Sequence, residues 1–244
     1  ILIKIDGGGN QQWSQTFQET SNSSEFGNSV QQTNDGGYIV CGYTMNIGNN
    51  DRDVYLIKTN GSGSQQWSQT FGGNNWDHGY SVQQTNDGGY IICGQTESFG
   101  NGQGDMYLIK TDGSGNQQWS QTFGGSNLDY GLSIKQTNDG GYIICGETNS
   151  FTSGSGDIDL YLIKTDGNGN QQWTQMYDDS YEDRGYSVQQ TNDGGYIICG
   201  YTYSNGYDIY LIKTDSQGNI TLTFNIPTKS SNRKLEKIVD ILGR

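Results

Sequence analysis

Asp35-Gly-Gly-Tyr38-Ile-Val-Cys-Gly42 returns as Asp87-Gly-Gly-Tyr90-Ile-Ile-Cys-Gly94, Asp139-Gly-Gly-Tyr142-Ile-Ile-Cys-Gly146 and Asp193-Gly-Gly-Tyr196-Ile-Ile-Cys-Gly200. The four tyrosines stand 52, 52 and 54 residues apart. A period of that length is what one four-stranded blade of a β-propeller requires. In the first full unit, Asn28–Thr33 reads as strand A and Asn34–Gly37 as a tight turn whose glycines tolerate positive φ. Tyr38–Thr44 then reads as strand B, and Met45–Arg52 as a looser connection. Asp53–Thr59 is strand C, Asn60–Ser64 a second turn, and Gln65–Phe71 strand D.

Strands B and C are near-continuous apolar runs, as expected of strands covered on both faces. Strand D alternates, with Trp67, Gln69 and Phe71 on one face and Gln66, Ser68 and Thr70 on the other, which suits an outer strand with one wet face. Leu2-Ile3-Lys4 matches Leu56-Ile57-Lys58 and its later copies, so strand C occurs five times against four A–B pairs. The expected fold is therefore all-β, a propeller of four complete blades preceded by a half-blade. The last strand D carries Leu222 where the others carry Trp13, Trp67, Trp119 and Trp173. A closed five-bladed ring would lack one A–B pair. Either the ring is incomplete or blades lie upstream, and the chain, which opens inside a strand without Met, reads as a fragment or a processed form.

Glycine accounts for 38 of 244 residues and proline for one, a turn-rich β composition. The net charge is −13, and five of the 13 basic residues crowd the last 16 positions, so residues 1–227 carry 8 Lys+Arg against 24 Asp+Glu. Such a surface repels phosphate backbones and anionic lipid, which excludes nucleic acid as a partner. No apolar run reaches the length of a membrane span or a signal-peptide core, so membrane insertion is not expected.

Three strings recur in fixed order: Phe71-Gly-Gly-x-x-x-Asp77-x-Gly79-x-Ser81-Val82, the Asp-Gly-Gly-Tyr signature, and Asp105-x-Tyr107-Leu-Ile-Lys-Thr111-Asp112. Together they resemble bacterial secreted β-propeller repeats of the SBBP type, over about residues 1–224. Residues 225–244 read as a linker and the start of a second unit. Its Asn232-Arg-Lys-Leu-Glu-Lys-Ile-Val-Asp240-Ile-Leu-Gly-Arg244 resembles the opening of a type IX secretion C-terminal sorting domain. That resemblance implies engagement of secretion machinery, export across a Bacteroidota-type outer membrane, and an extracellular or cell-surface location.

Cys41, Cys93, Cys145 and Cys199 occupy one place in successive blades. Packed sheets lie about 10 Å apart, too far for bridging, so four buried free thiols are expected. The C–D turns, such as Asp112-Gly-Ser-Gly-Asn116, lack the later acidic ligands of a calcium loop and read as Asx turns. The repeated tryptophans read as blade-to-blade packing rather than cofactor contacts, and no cofactor is expected. Glu25, Asp77, Asp129 and Asp183 precede strand A, where a carboxylate ring near the axis could hold a cation; capping of a local turn is the plainer reading. The single histidine, His78, has no evident Ser or Cys partner motif for nucleophile activation.

The repeats disagree in the B–C and D–A connections, which a meander places on one face of the disc. From the glycine after each Cys to the Asp of strand C the separations are 11, 11, 13 and 8 residues. Aligned positions read Ser24, Trp76, Leu128, Glu182 and Phe26, His78, Tyr130, Arg184. Trp76, His78, Tyr130 and Arg184 are the candidate ligand-binding residues, since flat rings stack on sugars and Arg anchors acidic groups. The expected function is a non-catalytic binding scaffold whose loop face engages a glycan or a cell-surface protein. The alternative is a polysaccharide-active enzyme, a glycoside hydrolase or lyase, using acidic residues on the same face.

Overall fold

Each Asp-Gly-Gly closes a hairpin because the glycine after the Asp takes a conformation few other residues adopt: φ is +80° at Gly36 and +84° at Gly88. The turn is locked by its own aspartate, Asp35 Oδ1 accepting from Gly37 N at 3.0 Å and from Thr33 Oγ1 at 2.5 Å. It also reaches the lysine of the neighbouring strand C. Lys58, only 4% exposed, donates to Asp35 Oδ2 at 2.8 Å and to the Thr59 carbonyl at 2.8 Å. The same pair recurs as Lys110–Asp87, Lys164–Asp139 and Lys213–Asp193. The Lys of Leu-Ile-Lys-Thr and the Asp of Asp-Gly-Gly-Tyr are thus two ends of one contact.

The computed structural model describes residues 1–48, 51–151, 157–178, 182–203 and 206–226, with backbone alone at 223–226. The expected sorting-domain opening, at 232–244, lies outside the described residues. The described elements are all strands. A half-blade pairs β1 (Leu2–Ile5) with β2 (Gln11–Gln15). Blade 1 contains β3 (Ser23–Gln32), β4 (Tyr38–Asn46), β5 (Arg52–Thr59) and β6 (Gln65–Phe71). Blade 2 contains β7 (Asp77–Gln84), β8 (Tyr90–Thr96), β9 (Asp105–Thr111) and β10 (Gln117–Phe123). Blade 3 contains β11 (Asp129–Gln136), β12 (Tyr142–Thr148), β13 (Asp159–Thr165) and β14 (Gln171–Tyr177). Blade 4 contains β15 (Glu182–Gln190), β16 (Tyr196–Tyr203), β17 (Tyr207–Thr214) and β18 (Ile220–Ile226). Every full blade is an antiparallel A-B-C-D meander. The fold is a β-propeller array of four complete blades and a half-blade.

Neighbouring blades are joined by repeated contacts. Each strand-D tryptophan packs on the signature tyrosine of the next blade: Trp13 on Tyr38, Trp67 on Tyr90, Trp119 on Tyr142 and Trp173 on Tyr196, with ring centroids 5.6–6.0 Å apart. Along strand A, the Gln84, Gln136 and Gln190 side chains each accept from the backbone N–H of Asn34, Asn86 and Asn138 in the preceding blade, at 2.9 Å. The cores lie between blades, where Ile39, Cys41 and Leu56 of one meet Val82, Tyr90 and Ile92 of the next.

Two expectations need correction. Strand A begins at Ser23 rather than Asn28 and includes Glu25 and Phe26. Cys199 is exposed, although Cys41, Cys93 and Cys145 are buried and all four are free thiols. The three buried thiols face the following blade, Cys41 against Gly79, Cys93 against Gly131 and Cys145 against Gly185. No strand pairing joins blade 4 to the half-blade, and Cys199, Ile209 and Leu222 remain uncovered there among the described residues.

Candidate functional site

Strand A carries one extra residue in every blade. The register passes from Gly79↔Gly94 to Ser81↔Cys93, leaving Tyr80 as a bulge, and the equivalent bulge residues are Asn28, Leu132 and Tyr186. The glycine of each Cys-Gly exists for this bulge: a Cβ on Gly94 would overlap the His78 carbonyl oxygen, and the other three copies repeat the clash. The backbone is therefore held constant while the bulge residue and its neighbours are free to differ.

The cross-strand pairs beside the bulge differ in every blade: Phe26↔Tyr43, His78↔Gln95, Tyr130↔Glu147 and Arg184↔Tyr201. Sequence reasoning identified the strand-A member of each pair and missed the strand-B member. The signal was available, since the residue directly after Cys-Gly reads Tyr, Gln, Glu and Tyr between invariant neighbours.

These side chains form two connected groups. In the first, Arg52 lies over the Trp76 ring at 4.0 Å and the Tyr43 ring at 5.6 Å, and its Nη1 is 3.3 Å from His78 Nε2. Burial lowers the His78 pKa, and because a guanidinium can only donate, Nε2 is the acceptor of the Arg52 contact. Tyr80 joins this group to the second, with its ring 5.9 Å from His78 and 6.4 Å from Tyr130.

The second group lines a cleft of about 430 Å³ spanning blades 2, 3 and 4, with Tyr80, Tyr130, Tyr186, Leu128, Leu132, Ile158, Glu147 and Arg184 among its walls. Arg184 Nη1 donates to Glu147 Oε1 at 3.0 Å and Arg184 Nε to Glu182 Oε1 at 2.8 Å, while Tyr201 OH donates to Glu182 Oε1 at 2.6 Å. Glu147 is 5% exposed, and its Oε2 has no hydrogen-bond partner. Burial raises the Glu147 pKa despite Arg184, whereas the Tyr201 hydrogen bond and Arg184 lower that of Glu182. Of the four expected ligand-binding residues, Tyr130 and Arg184 share this cleft and Trp76 and His78 belong to the adjoining group. Trp76 is 37% exposed.

Glu25, Asp77, Asp129 and Asp183 lie within strand A, not ahead of it. Asp77 is fully buried; its Oδ2 accepts from Gly73 N at 2.9 Å and from Ser98 Oγ at 2.6 Å, so it ties the D–A connection to the B–C loop of its own blade. Asp129 does the same through Gly125 N, Ser150 Oγ and Thr148 Oγ1. Glu25 accepts from Glu19 N at 3.1 Å and Asp183 is buried. Asp77 and Asp129 thus each cap a loop. The C–D turns are Asx turns, with Asp112 Oδ1 accepting from Ser114 N at 2.8 Å and Asn116 N at 2.9 Å.

No protein-family model matches the sequence, and no curated protein matches it. Among solved structures, a protein of unknown function from Bacteroides caccae is similar at a TM-score of 0.53 and 12% identity, over 91% of this chain and 73% of that one. A proposed exo-beta-1,3-galactanase from Bifidobacterium bifidum s17 is similar at a TM-score of 0.48 and 14% identity, over 81% of this chain and 72% of that one. At 12% identity the likeness to the Bacteroides caccae protein is one of fold.

Proposed function

We propose that the chain is an exported, non-catalytic binding propeller whose loop-face cleft takes a neutral glycan. The observation that carries this reading is the cleft walled by Tyr80, Tyr130 and Tyr186, rings supplied at positions where the blades differ. Such rings offer flat apolar area with a polar edge, the surface a sugar face requires. The Arg184 guanidinium is already paired with Glu147 and Glu182, so it is not free to anchor an acidic sugar. With a net charge of −13, the surface also disfavours polyanions. Export and a cell-surface or extracellular location form part of the same reading. They rest on the SBBP-like repeats and the sorting-domain-like tail, whose partner would be secretion machinery.

The catalytic rival has one observation in its favour. Glu147 and Glu182 are shifted in opposite directions, as an acid and a nucleophile or base in glycoside hydrolysis must be. Against it, Arg184 bridges both carboxylates and occupies the space between them. The two readings part on one experiment: isothermal titration against a neutral glycan panel, with reducing-end release measured on the same panel. Binding without release is expected. Tyr130→Ala and Tyr186→Ala should each weaken it about 5- to 10-fold, the equivalent of about 1–1.4 kcal/mol per stacked ring. Release of reducing ends that Glu147→Gln abolishes would establish the hydrolase instead.

A further inference from the structure

At the junction of blades 3 and 4 the repeat is broken in a specific way. Strand D is followed by Gly72 after Phe71 and by Gly124 after Phe123, but by Gln18 after Phe17 in the half-blade and by an acidic residue, Asp178, after Tyr177. At the glycine junctions there is no room for a side chain: a Cβ on Gly72 would run into the carboxylates of Asp53 and Asp77, and one on Gly124 into those of Asp105 and Asp129. Asp178 places a third carboxylate at the corresponding point. It faces Asp159, the counterpart of Asp53 and Asp105, and Asp157 two residues earlier. One oxygen from each of the three lies within 4.8 Å of the others.

A second observation separates this group from an ordinary acidic patch. Asp159 is 2% exposed, and its Oδ1 has no hydrogen-bond partner; the buried Oδ1 of Asp157 has none either. Asp77, whose Oδ1 is likewise without a partner, and Asp129 each receive backbone and hydroxyl donors at Oδ2, whereas Asp159 has no such donors among the described residues. A buried carboxylate oxygen without a donor is costly unless a cation supplies what hydrogen bonds do not.

We infer that Asp157, Asp159 and Asp178 bind one calcium ion. Hard oxygen ligands with no Cys or His select a hard cation. Three oxygens at these separations can all touch an ion at the roughly 2.3–2.6 Å of calcium coordination, and exposed Asp178 leaves the outer positions to water. The site lies directly behind the cleft. Asp157 and Asp159 flank Ile158, whose side chain lines the cleft and whose carbonyl accepts from Asp183 N at 2.7 Å. The ion would fasten the start of strand C, at Asp157 and Asp159, to Asp178 at the end of strand D, stiffening the wall that carries Glu182 and Arg184.

The test is calcium titration of the full chain after chelator treatment, read by calorimetry and by melting temperature. One ion is expected to bind, with a dissociation constant of about 10⁻⁴ to 10⁻³ M, and to raise the melting temperature at about 10 mM. Magnesium should give a smaller rise, because it demands tighter octahedral geometry. Asp178→Gly installs the residue found at the junctions of blades 1 and 2 and of blades 2 and 3, so it should fold, and it should lose at least about tenfold in affinity. Asp159→Asn should remove the response altogether. No melting shift in the parent, equal shifts with magnesium, or an Asp178→Gly protein that binds calcium as tightly as the parent would each overturn the assignment.

Discussion

The two faces of the disc obey different rules. On the turn face, four A–B turns repeat one geometry, and each carries a lysine held by the Asp of Asp-Gly-Gly-Tyr, with N···O distances of 2.8–2.9 Å. On the loop face, no two blades present the same cross-strand pair beside the bulge. The difference shows what repetition protects. Residues are fixed where a side chain must satisfy another blade or a turn, and they vary where the backbone alone does the structural work.

The largest expected effect sets a core tryptophan against a loop-face one. Trp67→Ala removes the ring packed on Tyr90 and should cost about 3–5 kcal/mol in denaturant unfolding. Trp76→Ala removes only a partly exposed ring stacked on Arg52 and should cost about 0.5–1 kcal/mol. Equal losses would erase the distinction between the faces.

Next comes Asp87→Asn, which removes the countercharge from buried Lys110 and leaves it neutral acceptors alone: the amide oxygen, the Thr111 carbonyl and the Gln118 side chain. A loss of about 1.5–3 kcal/mol is expected. The two faces should also answer pH with opposite signs. Burial works against ionised Asp87 and Asp139, but their threonine, lysine and glycine hydrogen bonds outweigh it and hold both at about 2. Their contribution is complete above the unfolded value near 3.9 and is lost as pH falls toward 2. On the loop face, burial and then Asp51, Asp77 and Glu19 raise Asp53 to about 6. The folded state there holds its proton more tightly, so stability declines as pH rises from about 4 through 6. Melting temperatures should peak between these limits, and Asp53→Asn should make the decline shallower on the neutral side only. Smallest in energy is a count of thiols: one of four should react in the native protein, Cys199, and the other three only after denaturation.

Much of this architecture was legible in the sequence. Strand D of blade 1 runs over Gln65–Phe71 as expected, because glycine turns and connections bound it on both sides. Strand A began five residues early because its bulge at Asn28 breaks the period of two on which strand reading depends. The Lys58–Asp35 pair joins residues 23 positions apart, and only the folded blade brings them together. At the candidate site, Tyr130 and Arg184 stood out by departing from their counterparts. Glu147 did not, because it sits inside an otherwise constant strand and acts through Arg184 of the following blade. Cys199 is exposed because, among the described residues, no further sheet covers that side of blade 4, whereas an internal alignment of repeats assigns every copy the same surroundings.

The glycine that accommodates each bulge also governs how such a protein changes over generations. Because the bulged backbone is indifferent to which side chain it presents, a copied blade arrives as a working scaffold with its presenting positions unassigned. New recognition can then be acquired by drift at Tyr80, Leu132 or Tyr186 without reopening the folding problem. Lengthening the gene and diversifying what it recognises become one genetic event, with Gly42, Gly94, Gly146 and Gly200 the positions where any side chain would strike the strand-A backbone.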